Sequence, residues 1–479
     1  ARSLGFGPMP VPRHHLSAEL TTGFARIRAD LGVQEEFPPE ALALAGKRAS
    51  SPSNANRDHR DRQDLPLLSI DPEGSRDLDQ ALHLERDGSG YVFHYAIADV
   101  AHWVQAGDAI DLEARRRGTT IYCPDRRIPL HPTELSEGAA SLLEGQSRPA
   151  ILWTIRLDRD GATTDVSVER AIVRNHRALS YAAVQAAIDA GSTDEQFGLI
   201  EEVGRLRLTQ EIERGGVSLE LPEQAVDRVG DHYELRYDEA LPVEGWNAQL
   251  SLCCGMAAAQ LMLDARCGIL RTLPPADAET IARLRVHSAA LDVPWPDDLS
   301  YPEWVRTLDP ATPHGAALMT QAARTLRGSG YLAFDGDVPA EHRHHAIAAD
   351  YAHVTAPLRR LVDRFANECV LAAAAGTRPP AWVLEALADL PGIMGSTGRL
   401  ANQVERAVVD LAEAAALAHL VGHTFDAVVT STGKGYSAIQ LIEPAVIGTV
   451  PGELPIGAST RVLLETADIA GPAVRFVPA

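Results

Sequence analysis

Apolar positions recur every three to four residues from Leu16 to Leu31 and from Pro38 to Lys47, which predicts two short helices joined at Gly32. A polar Ser/Asn/Arg/Asp stretch from Ser50 to Asp64 then reads as a linker. The run Leu65 to Ile70, and those from Tyr91 to Ile97 and Ala150 to Leu157, carry strand texture, whereas Ala248 to Leu263 and Leu400 to His419 are helical. Beyond Val421 the texture shifts to short alternating runs: Thr424 to Ser431, Ser437 to Ile442, Ile447 to Val450, Thr460 to Thr466 and Ala473 to Val477. Glycines 433, 435, 452 and 457 punctuate them. Five short strands suit a small Greek-key barrel of the OB type, either a platform for single-stranded nucleic acid or a structural cap. The predicted class is α+β, with a small helical region and linker (1–64), a large mixed α/β body (65–420) and a five-stranded barrel (421–479). The opening helices admit two readings, a helix-turn-helix contact or a docking strap.

Composition narrows the picture. A chain of 479 residues is long enough for two to four domains at about 100–200 residues each. Its five cysteines form no Cys-x-x-Cys pair, which argues against a disulfide framework or zinc site and fits a reducing cytoplasm. Residues 1–10 lack signal-peptide character and no apolar run approaches membrane-spanning length, so no membrane partner is expected; nor is there a coiled-coil heptad, and a monomer is expected. The formal net charge of -21 speaks against nucleic acid. Yet 42 of the 44 basic residues are arginine, clustered at 115–117, 126–127 and 359–360, and the planar guanidinium fork suits phosphate; GC-rich coding would also raise that ratio.

The chemistry concentrates at Asp71, Asp77 and Asp79. Pro72 and Gly74 predict a sharp turn after the strand, folding Asp77 and Asp79 back toward Asp71, and residues two apart in extended chain point the same way. Three converging carboxylates repel unless a divalent cation sits among them. Magnesium is the expected ion and phosphodiester cleavage its natural use; a solvated acidic turn and a calcium loop are the alternatives.

Several collinear blocks resemble the RNase II/RNase R exoribonucleases and their RNB catalytic domain. They are the acidic loop 70–79, Tyr95 through Val104, Leu112 through Pro124, Ile128 through Glu137, and Tyr351 through Arg360. The likeness spans roughly residues 65 to 420, and the terminal barrel resembles the family's S1 domain. It implies a processive, Mg²⁺-dependent 3′-to-5′ hydrolytic exoribonuclease that releases nucleoside 5′-monophosphates from a threaded single strand. By position, Asp71, Asp77 and Asp79 would organise metal and water, and Arg359 would stabilise charge on the scissile phosphate. Tyr122 would stack near the RNA 3′ end and set product length, and Tyr181, Arg360 and Glu405 would line the RNA path.

Three departures from the family pattern matter. Gln80 stands where a fourth Asp is usual, leaving a neutral amide as weak metal ligand. Ala356 and Leu361 replace hydroxyl residues, and Gln249-Leu250-Ser251-Leu252 replaces a segment with paired glutamates, which would loosen discrimination of RNA from DNA. Helical sequence stands at the front where two cold-shock barrels are usual, so duplex RNA with a short 3′ overhang becomes an expected substrate. A silent RNA-binding relative and a small-nucleotide phosphoesterase are the competing readings.

Overall fold

The computed structural model describes residues 9–10, 16–50, 59–219, 223–229, 232–238, 240–309, 312–441, 446–471 and 473–479. Most of the first fifteen residues, positions 51–58 of the expected linker and Ile442 lie outside the described residues.

Strand alternation divides the apolar side chains between two cores. All nine residues of Gly90–Ala98 are buried. Phe93, Tyr95 and Ile97 enter one core with Leu82, Leu84, Trp153 and Ile155. Ala96 and Ala98 enter another with Leu67, Ala81, Leu152 and Val173. Complete burial of a side chain such as Phe93 contributes about 1.5–3 kcal/mol. The strands Leu67–Asp71, Gln80–Asp87, Gly90–Ala98 and Ser147–Leu157 follow one another as antiparallel neighbours. The 18-residue strand Thr163–Ser180 closes the set, pairing antiparallel with Ser147–Leu157 and parallel with Leu67–Asp71. Ser180 lies opposite Asp71, so Asp71 and the following Tyr181 leave the sheet at one rim.

Helix Pro242–Asp264 crosses the first core, burying Val243, Leu250, Cys254, Ala258 and Met262. Helix Leu361–Ala374 buries Phe365, Cys369 and Val370 in the same core. All five cysteines are free thiols.

The N-terminal helix Leu16–Asp30 docks through Leu20, Phe24 and Ile27 onto Val404, Val408 and Leu411 of the long helix Leu390–Leu417. Approach is close: a Cβ on Gly23 would meet Leu411 Cδ2 at 2.4 Å. Arg28, 1% exposed, grips both oxygens of Asp125 (2.8 and 3.0 Å) and Glu35 Oε1 (3.0 Å).

At the other end, Ile447–Pro451, Tyr436–Leu441, Thr424–Gly433, Ser459–Asp468 and Ala473–Pro478 form a five-stranded sheet in that order, nearly closed by approach of its edge strands. Val429, Ile439, Val450, Leu464 and Phe476 fill it. The class is α+β with a terminal OB-type barrel, as the periodicities predict. Among the described residues, no helix is long and apolar enough to cross a membrane.

Candidate active site

The acidic loop turns as its Pro and Gly dictate. The Ser75 N–H donates to the Pro72 carbonyl at 3.1 Å, with Gly74 at φ +79°, a conformation that side chains disfavour. Ser141 holds the returning arm: its hydroxyl donates to the Arg76 carbonyl at 2.7 Å and accepts from the Leu78 N–H at 2.9 Å. Sequence reasoning missed Ser141, whose one signal is a hydroxyl inside the apolar run Ala139 to Leu143.

Asp79 is 4% exposed. Its Oδ1 accepts the Leu358 N–H at 2.7 Å, and its Oδ2 lies 3.4 Å from Arg359 Nε. The loop that carries Arg359 is itself strung onto the segment after Gly118. The Thr120 N–H donates to the Arg359 carbonyl (3.0 Å), and the Leu361 N–H donates to the Gly118 carbonyl (2.9 Å). Three distant blocks of sequence thus meet at one carboxylate. Burial pushes the Asp79 carboxyl up to about 8, against the pull of Arg359 and the Leu358 N–H. Burial also raises Asp71 to about 7, with Arg359 opposing and Asp77 reinforcing.

Asp77 sits differently. Strands Ile121–Tyr122 and Arg127–Ile128 form a hairpin in which Tyr122 faces Arg127. Ile121 and Ile128 point into the core, so their chain neighbours Tyr122 and Arg127 point out toward the acidic loop. The Tyr122 hydroxyl donates to Asp77 Oδ2 at 3.3 Å, and Arg127 Nη1 forms a short ion pair with Asp77 Oδ1. Arg127 Nη2 simultaneously donates to Glu137 Oε1 at 3.0 Å. The sequence marked Arg127 only as part of a basic cluster. Tyr122 is 52% exposed, despite apolar flanks that favour a core strand.

The other expected site residues divide. Tyr181 is half-buried, and its hydroxyl accepts from Asn247 Nδ2 at 2.9 Å; burial and then the charge of Asp71 push its phenol up to about 12. Gln80 opens the next strand opposite Ile97. Arg360 is turned from the acidic loop, its Nε and Nη2 on the two oxygens of buried Asp363 at 3.0 and 2.9 Å. Glu405 is exposed on the long helix beside buried Val404.

The expected convergence of all three aspartates is not what the structure shows. Among the described residues, no group of three or more His, Cys, Asp or Glu side chains is placed to hold a metal ion. Asp77 is instead taken up by Arg127 and Tyr122. The donors still suit a hard cation. Asp71 Oδ2 is buried without a hydrogen-bond partner, a costly state for a carboxylate oxygen that a cation would relieve, and carboxylate oxygens are the ligands magnesium prefers.

A family model for the RNB domain matches residues 59–375, and one for the RNase II-type exonuclease C-terminal S1 domain matches residues 423–479. Ribonuclease R of Escherichia coli is 27% identical over 436 residues, covering 83% of this chain and 52% of that protein. The chain thus spans about half the length of that curated relative. Mycoplasma genitalium RNase R shares the fold when solved with ribose-methylated single-stranded RNA (TM-score 0.86, 18% identity, 96% of this chain and 78% of that one). It does so too with double-stranded RNA (TM-score 0.82, 20% identity, 96% and 83%). Yeast Ssd1, described as a pseudonuclease, has the fold as well (TM-score 0.72, 15% identity, 93% and 58%).

Proposed function

This chain belongs to the RNB-domain family, and from that premise we propose that it is a Mg²⁺-dependent 3′-to-5′ exoribonuclease that hydrolyses RNA processively to nucleoside 5′-monophosphates. The observation that carries the reading is the burial of Asp79 against Leu358 and Arg359, with unpartnered Asp71 Oδ2 in the same acidic loop.

Asp71, Asp77 and Asp79 would hold the ion, with Gln80 as a weak or water-mediated ligand. Bound there, magnesium would activate water and neutralise charge developing on the phosphate. The remaining work falls to the chain. Arg359 is half-exposed and tethered through Nε, leaving its terminal nitrogens to meet the scissile phosphate. Leu358 fixes the carboxylate it caps, so that donor and acceptor need no reorganisation as the phosphate gains charge. The open ring of Tyr122 offers a face for the terminal base, and Tyr181, steadied by Asn247, lines the rim beside Asp71.

The substrate of this reading is the 3′ end of single-stranded RNA, including duplex with a short overhang, acted on by a monomer in the cytoplasm. A catalytically silent RNA-binding relative is the second reading, favoured by Gln80 and by the Arg127 contact on Asp77. One experiment separates them: 5′-labelled single-stranded RNA with Mg²⁺, beside an Asp79→Asn variant. Progressive shortening that the variant loses supports the enzyme; binding without shortening supports the silent relative. A stem-loop with a short 3′ tail tests the duplex substrate, and a stall several nucleotides before the stem would exclude it.

A further inference from the structure

Arg127 occupies an unusual position for a charged side chain beside a cation site. Both oxygens of Asp77 are engaged, Oδ1 by Arg127 and Oδ2 by the Tyr122 hydroxyl. The same guanidinium already holds a second acceptor, Glu137 Oε1, at 3.0 Å. Its side chain is 26% exposed, against 12% for Asp77 and 22% for Glu137, so it can shift without opening the core. Its base cannot shift: the hairpin sets Arg127 opposite Tyr122, and Arg28 grips Asp125 at the turn. A tethered cation on a fixed base stays at high local concentration next to Asp77. Arg127 is shared between Asp77 and Glu137, and Arg359 is paired with Asp79, so each guanidinium already answers carboxylate charge at the loop.

We infer that Arg127 is a built-in counter-ion that competes with the divalent cation for Asp77, with Glu137 as the seat to which its guanidinium withdraws when the cation enters. This rests on the metal-dependent reading of the site. It assigns Arg127 a positioning role, since it acts on Asp77 and not on substrate. Glu137 sets the balance: with it, the withdrawn guanidinium stays paired, and without it Arg127 has only Asp77 to hold. The contact raises the cation concentration that the site requires above what the aspartates alone would impose.

The test measures Mn²⁺ binding to the full chain without RNA, by the loss of the free-ion electron paramagnetic resonance signal, in wild type, Arg127→Met, Arg127→Lys, Glu137→Gln and Asp77→Asn. Arg127→Met keeps the aliphatic stem and removes the charge, and is expected to tighten Mn²⁺ binding by about fivefold or more, the low end of ordinary coupling between two ligands. Arg127→Lys restores the charge and should return the affinity toward wild type, whereas Glu137→Gln should weaken it. An unchanged or weaker affinity in Arg127→Met overturns the inference. If Asp77→Asn still loses binding in that case, the metal site stands and only the role of Arg127 falls. If no protein binds Mn²⁺, both the metal-dependent reading and this inference are wrong. Melting curves of each variant establish that the compared proteins are folded.

Discussion

The backbone N–H of Leu358 donates to Asp79 Oδ1 at 2.7 Å, joining residues 279 positions apart in sequence. A main-chain donor survives any substitution at Leu358 except proline, so this contact does not depend on the Leu358 side chain. Asp79→Asn presents the same shape and can still accept that hydrogen bond through its amide oxygen. The expected outcome is a folded protein that binds RNA and no longer shortens it, read from gel time courses alongside filter binding.

Arg359 offers charge that Asp79 only partly uses. Its replacement by Ala should lower the single-turnover cleavage rate by about 10²–10³-fold, the usual effect of losing a donor aimed at developing charge. Arg359→Lys should recover only part of this, because an ammonium lacks the planar fork. Rates at saturating enzyme check both.

Tyr122 stands on the exposed side of its hairpin, above Asp77. Tyr122→Ala should change the length of the final oligonucleotide while leaving the unfolding midpoint near wild type, since the ring contributes little to the core. Mass spectrometry of the limit digest reads the first, and calorimetry the second.

Glu413 joins the body to the barrel. Its Oε1 accepts from Gln224 Nε2 at 2.6 Å and from the Ile447 N–H at 3.0 Å, and burial raises its carboxyl to about 7. A carboxyl raised in the folded state binds more protons there than in the unfolded chain. Its contribution is therefore fully present below about pH 4.5 and is lost as pH rises through about 7. The loss amounts to about 3 kcal/mol between those limits. Glu413→Gln should flatten this dependence, so that the variant gains on wild type in melting temperature from pH 5 to pH 8.

Arg28 is buried with Asp125. Arg28→Met should cost about 3–5 kcal/mol, the penalty for stranding one member of a buried pair, and Arg28→Met with Asp125→Asn should cost less. Denaturant titration of the three proteins measures the difference.

Much of this was legible in the chain. The turn after Asp71 follows from Pro72 and Gly74, and the five barrel strands follow from period-two alternation broken by glycine. What escaped was pairing between distant segments. Arg360 takes Asp363 as its partner and Arg359 reaches Asp79, because residue 360 is still extended (φ -133°, ψ 124°) just before the helix. The apolar flanks Ile121 and Cys123 do not reveal which way Tyr122 faces; the hairpin buries Ile121 and leaves Tyr122 open. Arg127 and Asp77 are 50 residues apart, and only the fold brings a cation of the protein's own onto an expected ligand.

The grip of Arg28 on Asp125 reaches further than its own energy. The hairpin bearing Tyr122 and Arg127 is moored at its tip to the first helix, so damage to that helix would loosen the placement of both side chains beside Asp77. The same helix also reaches the barrel, through Arg26 Nη2 on the Ile469 carbonyl at 3.4 Å, so one element braces both the hairpin and the terminal domain.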